Sequence, residues 1–122
     1  MNELLAVFAL LQIKHVVIDW LLQPKWMWSV KHIYGHIGGI YHACFNGLGT
    51  AIVISYFYEH FWLVFILDSI IHYHIDWYKM NLNINLNISI ENKYFWYFLG
   101  LDQYYHQMTY ILIIFLIFNG IV

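Results

Sequence analysis

Three short runs place a carboxylate and an imidazole four residues apart: His15–Asp19 in HVVIDW, His72–Asp76 in HYHIDW and Asp102–His106 in DQYYH. On a helix, residues at that spacing lie on one face, a turn apart. Neutral imidazole nitrogens and carboxylate oxygens are the donors of divalent metal sites, and a pair at i,i+4 can grip one ion together. Hydrogen-bonded to one another, the same groups make a structural polar network or a proton path. His42, in YHACFNGLG, brings the candidate ligands to seven residues, enough for two ions. Mixed nitrogen and oxygen ligation suits zinc first, with manganese or iron as alternatives. Cys44 is the only cysteine, which excludes a thiolate site and an intramolecular disulfide.

The surroundings of these pairs are unusually apolar. Of 122 residues, 62% are hydrophobic and 10% charged, against about 45–50% and 25% in soluble chains. The five basic residues are all lysines and the net charge is −2, so there is no electrostatic footprint for nucleic acid. Four segments approach the roughly 20 apolar residues that a membrane span needs: 3–23, 37–57, 61–80 and 94–118. The expected fold is all-α, a four-helix transmembrane bundle forming one integral membrane domain in the lipid bilayer. The start, MNELLAVFALL, has Glu3 in place of a positive signal-peptide n-region and reads as a retained helix.

The connections follow. Residues 24–35 read as a short amphipathic helix at the interface, with Pro24 suited to its start. Trp26, Val30, Ile33 and Ile37 take its apolar face, and Lys25, Ser29, His32 and His36 its solvated one. Tyr58, Glu59 and His60 make a tight polar turn. Residues 81–93 form a polar connection, whose NLNINLNISI alternates with period two. That pattern fits a surface ribbon or hairpin, or an unstructured linker. Lys25, Lys31, Lys79 and Lys93 flank the first and third connections and the second has none, so both termini are expected on the non-cytoplasmic side. Trp20, Trp26, Trp28, Trp77 and Trp96 lie near the same side, as an interfacial belt would.

All four aspartates, Asp19, Asp68, Asp76 and Asp102, fall inside predicted spans. Unpaired and central, they would cost on the order of 10 kcal/mol, so partners are required. Each span offers one polar stripe: Gln12, His15, Asp19 and Gln23; Gly39, His42, Asn46 and Gly49; Asp68, His72, Asp76 and Lys79; Asp102, His106 and Thr109. The glycines let helices approach. In an antiparallel bundle the histidines and aspartates share one depth, in the cytoplasmic half, while LLAVFALL and YILIIFLIF close the other half. Lys14 lies within a span and must snorkel or find a partner. Gln23, Asn46 and Gln103 are candidates to hydrogen-bond the ligands. Asp68, a turn deeper than His72, could support a ligand or act as general base; Lys31 and Lys79 could hold an anionic head group. His74 points away from the stripe, and Cys44 reads as packing.

The runs HVVIDWLLQPKWMWSVK, YHACFNGLG, HYHIDWYK and FLGLDQYYHQMTY resemble a small family of bacterial and phage membrane proteins catalogued as domain of unknown function 3307. Its ordered pattern is matched at His15, Asp19, Gln23 and Lys31, then His42, then His72, Asp76 and Lys79, then Asp102, Gln103 and His106. Asn46 stands where some relatives have another histidine, and the asparagine-rich connection departs from the family. The family is similar to membrane-bound proteins labelled metal-dependent hydrolases. The resemblance implies a bacterial inner-membrane protein with a metal-dependent hydrolase activity, on a lipid, a phosphoester or another amphiphilic substrate. A proton- or ion-translocating protein, including one that conducts as an oligomer, and a phage-encoded membrane effector with a structural metal are the alternatives.

Overall fold

A computed structural model describes residues 2–121, all helix and connection with no strand among them. Helix α1 spans Asn2–His15 and continues without a break into a π-helical stretch, Val16–Leu21. Pro24 follows, and the residue before a proline is driven out of the helical region, so the first long helix ends there. Helix α2 is a single turn, Lys25–Trp28; α3 spans Ile37–Ser55, α4 Phe61–Asn85 and α5 Lys93–Phe118.

Two connections differ from their sequence reading. The interfacial helix expected over 24–35 is cut to that one turn. Residues 29–35 form successive turns that end at Gly35, whose φ of 80° an L side chain rarely adopts. His36, read as solvated, caps α3 instead: its Nδ1 accepts the Gly38 N–H at 3.1 Å. The ribbon or linker expected over 81–90 is replaced by helix as far as Asn85. A lone alternating segment has no partner strand, whereas helix propagation supplies a bond for each added residue. Asn81 reinforces the extension by donating from Nδ2 to the carbonyls of Trp77 and His32. Asn87, at φ 50°, then stops α4. Its N–H reaches the Ile84 carbonyl at 3.1 Å and the Ile88 N–H reaches that of Asn83 at 2.8 Å, the paired bonds of a Schellman ending.

Contacts run antiparallel between neighbours. Thr50 meets Asp68 and His42 meets His72 across α3 and α4; Asp76 meets His106 and Lys79 meets Asp102 across α4 and α5. Val7, Leu11, Ile54, Val64, Tyr110, Ile113 and Ile114 gather into one apolar core, the closed half expected from LLAVFALL and YILIIFLIF. Elsewhere the distribution is inverted. Among the described residues, buried polar side chains outnumber buried apolar ones, while large apolar side chains lie exposed along every long helix. Two helices, Asn2–Leu21 and Ile37–Ser55, are long and apolar enough to cross a membrane.

Gly47, rather than Gly39, permits the tightest helix contact: a Cβ there would run into Ser69 Oγ and lie 2.6 Å from the Phe65 carbonyl. At Gly39 a Cβ would make ordinary contacts, with Tyr73 Cε2 at 3.4 Å and Lys31 Cα at 3.8 Å. Gly47→Ala is therefore expected to cost about 1–3 kcal/mol by overpacking. Gly39→Ala should be neutral or gain a few tenths, because alanine favours helix. Thermal unfolding in detergent measures both; equal effects would refute the close approach at Gly47.

Candidate metal centre

The three i,i+4 pairs and His42 face inward from α1, α3, α4 and α5 at one level. The π-helical stretch carries Asp19. Such widened turns recur at functional sites, and here one aims the Asp19 carboxylate at His42 on α3 rather than only at its own helix neighbour.

Four atoms form the centre: Asp19 Oδ1, His42 Nε2, His72 Nε2 and Asp76 Oδ2. His42 Nε2 lies 2.8 Å from Asp19 Oδ1, 3.1 Å from His72 Nε2 and 3.3 Å from Asp76 Oδ2. His72 Nε2 lies 3.3 Å from each carboxylate oxygen. A tetrahedron with such edges has its centre about 2.0 Å from each corner, the length of a bond from a divalent metal to nitrogen or oxygen. All four residues are buried. Hydrogen bonding satisfies this group poorly. Each Nε2 carries at most one hydrogen, so two protonated nitrogens would abut across 3.1 Å, while a bare one would aim its lone pair at two carboxylates.

A second group, Asp76, Asp102 and His106, shares one member with the first. His106 Nε2 lies 3.3 Å from Asp76 Oδ1 and 3.5 Å from Asp102 Oδ1. The two oxygens of Asp76 thus serve different groups, Oδ2 the first and Oδ1 the second. The His72 and His106 rings stack at 4.1 Å between them. Asp102 Oδ1 and Asn46 Oδ1 accept no hydrogen bond among the described residues, and Lys31 Nζ, 2.6 Å from Asp76 Oδ2, is not aligned for one. Buried oxygens without donors are what a cation would satisfy. Asn46 donates to His42 Nε2 at 3.2 Å as oriented; an amide flip, which preserves shape, would turn its free oxygen to the centre.

Charge balance points the same way. Lys14 pairs with Asp68 at 3.4 Å, Lys31 with Asp76 at 2.6 Å and Lys79 with Asp102 at 4.0 Å. Asp19 has imidazoles for partners, His15, His42 and His72, and no lysine. Burying such a carboxylate without compensation costs several kcal/mol.

Six of the seven predicted ligands enter the two groups; His15 does not. Its Nε2 meets Gln103 Oε1 at 2.8 Å and its Nδ1 the Tyr110 hydroxyl at 2.9 Å, with Asp19 Oδ2 at 3.7 Å. Asp102 explains why. Its carboxylate only accepts, so Gln103 turns its amide nitrogen to Asp102 and its oxygen to His15 Nε2, which carries the imidazole hydrogen. The bare Nδ1 of the neutral ring then accepts from the Tyr110 hydroxyl, whose oxygen accepts from Lys14 at 3.0 Å. Gln103 Nε2 in turn donates to Asp102 Oδ2 at 3.1 Å. His15 is thus a positioning residue: it holds Gln103, and Gln103 turns Asp102 Oδ1 towards His106. Outer hydrogen bonds of this kind orient the ligands of metal sites.

Other expectations are redistributed. Lys14 found partners rather than snorkelling. Asp68 accepts from Lys14 and from the Thr50 hydroxyl at 2.5 Å, and it joins neither group. Lys31 is turned inward onto Asp76, because the chain folds over the end of the bundle after the single turn of α2. Lys79 remains near the edge. Gln23 supports the backbone, donating to the Asp19 carbonyl. Thr109 bonds the Tyr105 carbonyl of its own helix. Tyr110 and the π-helical turn escaped the sequence reading. Tyr110 had a signal, since it sits four residues after His106 with a hydroxyl that burial obliges to find a partner; the π turn had none. His60 is exposed in its turn, His74 bonds Tyr34 and the Ile70 carbonyl at the surface, and Cys44 is half-buried.

Fold and site together define an all-helical bundle protein whose buried histidines and aspartates could hold metal. Residues 7–121 match the family described as Protein of unknown function (DUF3307), and the chain belongs to it. No curated protein and no solved structure matches it.

The Lys14–Asp68 pair is almost fully buried, so Asp68→Asn or Lys14→Met alone should destabilise by about 3 kcal/mol. The double variant should recover most of that loss. Melting temperatures in detergent decide: additive losses would mean that the two charges do not compensate each other.

Proposed function

We propose that this chain is a four-span membrane protein holding a two-position metal centre bridged by Asp76, and that it acts as a metal-dependent hydrolase on a lipid-like ester. The observation that carries the metal reading is the division of Asp76, one oxygen in each group. The spans are α1 with its π extension, α3, α4 and α5. At 1.5 Å per residue, the 25 and 26 residues of α4 and α5 exceed a hydrocarbon core of about 30 Å. The inverted burial supports this reading, since lipid rather than water would face the exposed apolar side chains. The lysine-bearing connections then lie at the cytoplasmic face, with both termini opposite.

The two positions differ. Four ligands close the first, as in structural sites; three leave the second open, as in catalytic ones. Cations held by the two groups would supply Lewis acidity, to polarise a phosphoryl or carbonyl oxygen and make water a usable nucleophile near neutral pH. The protein does the rest. Asp102, steered by Gln103 and His15, keeps the open position formed. Lys79 draws in the negative charge of the substrate, and the bundle excludes bulk water. Hydrolysis adds water across the ester bond, yielding the free alcohol and the acid. Asp68, neutralised by Lys14 and Thr50, is better suited to structural support than to general base.

A proton path is the second reading, favoured by the directed chain from Lys14 through Tyr110, His15 and Gln103 to Asp102. That chain runs into the apolar core around Leu11, Ile54 and Val64 and reaches no polar exit among the described residues. Translocation is therefore the weaker reading.

Elemental analysis of protein purified in detergent should find about two divalent ions per chain. His42→Ala and His72→Ala should lower the content, Asp76→Asn should lower it most, and His15→Ala should lower it least, at the open position alone. A long-chain alkyl phosphate should release inorganic phosphate in a chelator-sensitive manner. Folded, metal-free protein would sink the metal reading; metal-loaded protein inert towards phosphate and carboxylate esters would sink the hydrolase reading alone.

A further inference from the structure

A groove of about 750 Å³ runs between α4 and α5, within the size range of ligand pockets. Ile70, Ile71, Ile75, Leu82, Phe98 and Leu101 make most of its wall, and its polar members include Lys79 and Asp102. Asp102 belongs to the open metal group. The groove is therefore an apolar slot in the side of the bundle that ends its polar wall on the candidate centre.

We infer that this groove seats the acyl chain of a membrane lipid bearing an anionic phosphate head group, and delivers that head group laterally to the open position beside Asp102. The inference deepens the hydrolase reading and rests on it for the purpose of delivery. Three observations select this occupant. From Ile70 to Leu82 the wall extends about 18 Å along α4 at helical rise, close to the ~15 Å that one leaflet contributes to the hydrocarbon core. The wall offers few polar groups to a sugar or a peptide, which would leave its own hydrogen bonds unmet. Its cation suits a phosphate: Lys79 is the most exposed of the three paired lysines, at 19% against 5% for Lys14 and 9% for Lys31, and its 4.0 Å pair is the loosest. Lys79 can therefore leave Asp102 for an anion at little cost, while Lys14 and Lys31 cannot. The groove also lies on the membrane-facing side of α4 and α5 in the four-span arrangement, so a chain slides in from the bilayer without crossing water.

The test uses the intact protein in proteoliposomes containing a trace of single-chain phospholipid with a diazirine near the chain end. After irradiation, peptide mapping should concentrate the label on Ile70, Ile71, Ile75 and Tyr105. Label spread evenly over the exposed apolar faces of α1, α3 and α5 would overturn the inference. Ile75→Trp and Leu82→Trp fill the slot and should suppress that labelling; Leu5→Trp, on an exposed face of α1, should leave it unchanged. Lys79→Gln should weaken competition by an unlabelled lipid phosphate about tenfold without affecting competition by an uncharged lipid of equal chain length. Lys79→Arg should restore it. Equal competition by charged and uncharged lipids would remove the head-group assignment. Inorganic phosphate that competes as well as the lipid would show that the chain contributes nothing. Metal content measured on each variant separates the two readings: labelling confined to the slot in metal-free protein would sustain the groove and refute the centre, whereas loaded protein with diffuse labelling would do the reverse.

Discussion

Asp76 is the point on which the interior converges. Its two oxygens lie within 3.3 Å of His42, His72 and His106 and within 2.6 Å of Lys31, so groups from α3, α4, α5 and the first connection all meet one carboxylate. A charge buried among apolar helices is tolerated only when its partners are fixed in place. That requirement fixes how these parts of the chain meet. It also explains the inverted interior: where lipid would solvate the outside, apolar burial offers little drive to associate helices, and polar contacts with close backbone approach take over.

Close approach has a specific source. α3 carries small residues against both its neighbours: Gly47 lets the Phe65 carbonyl and Ser69 of α4 come near, and Gly49 admits Ile18 and Lys14 of the first helix. These contacts follow directly after His42 and Asn46 within α3. Sub-ångström placement of four ligand atoms from three helices needs such a frame, because metal geometry tolerates little slack. The glycines and the ligands are thus parts of one device, the first setting the distances that the second exploits.

Much of this was legible in the chain itself. Helical spacing plus an antiparallel order sufficed to bring six ligands to one level, because i,i+4 pairs on successive helices meet wherever the turns between them are of suitable length. Burial cost sufficed to predict that Lys14 needed a partner, though not which one. What sequence could not supply were the departures from regular geometry. The π turn at Val16–Leu21, the arrest of α2 after Trp28 and the run of α4 to Asn85 each reposition a polar group: Asp19 towards α3, Lys31 onto Asp76, Asn81 onto the first connection. Period-two asparagines in 81–90 imitated a strand because pairing partners, which decide between strand and helix, are invisible in a local pattern. Spacing reports proximity and so groups His15 with the ligands; its tautomer, set across the bundle by Gln103 and Asp102, decides that it donates instead.

His15 links the two halves of the molecule. Lys14 is held by Asp68 at the border of the apolar core, and from it a run of hydrogen bonds passes through Tyr110, His15 and Gln103 to Asp102. The acceptor-only carboxylate of Asp102 fixes the sense of these bonds: it takes the Gln103 amide nitrogen and leaves the amide oxygen to His15. Asp102 belongs to the second group and also lines the α4–α5 groove, so the carboxylate that sets these bonds stands where the two meet. The apolar half and the candidate centre are thus coupled through one run of side chains, in which His15 is the member that also approaches Asp19 of the first group.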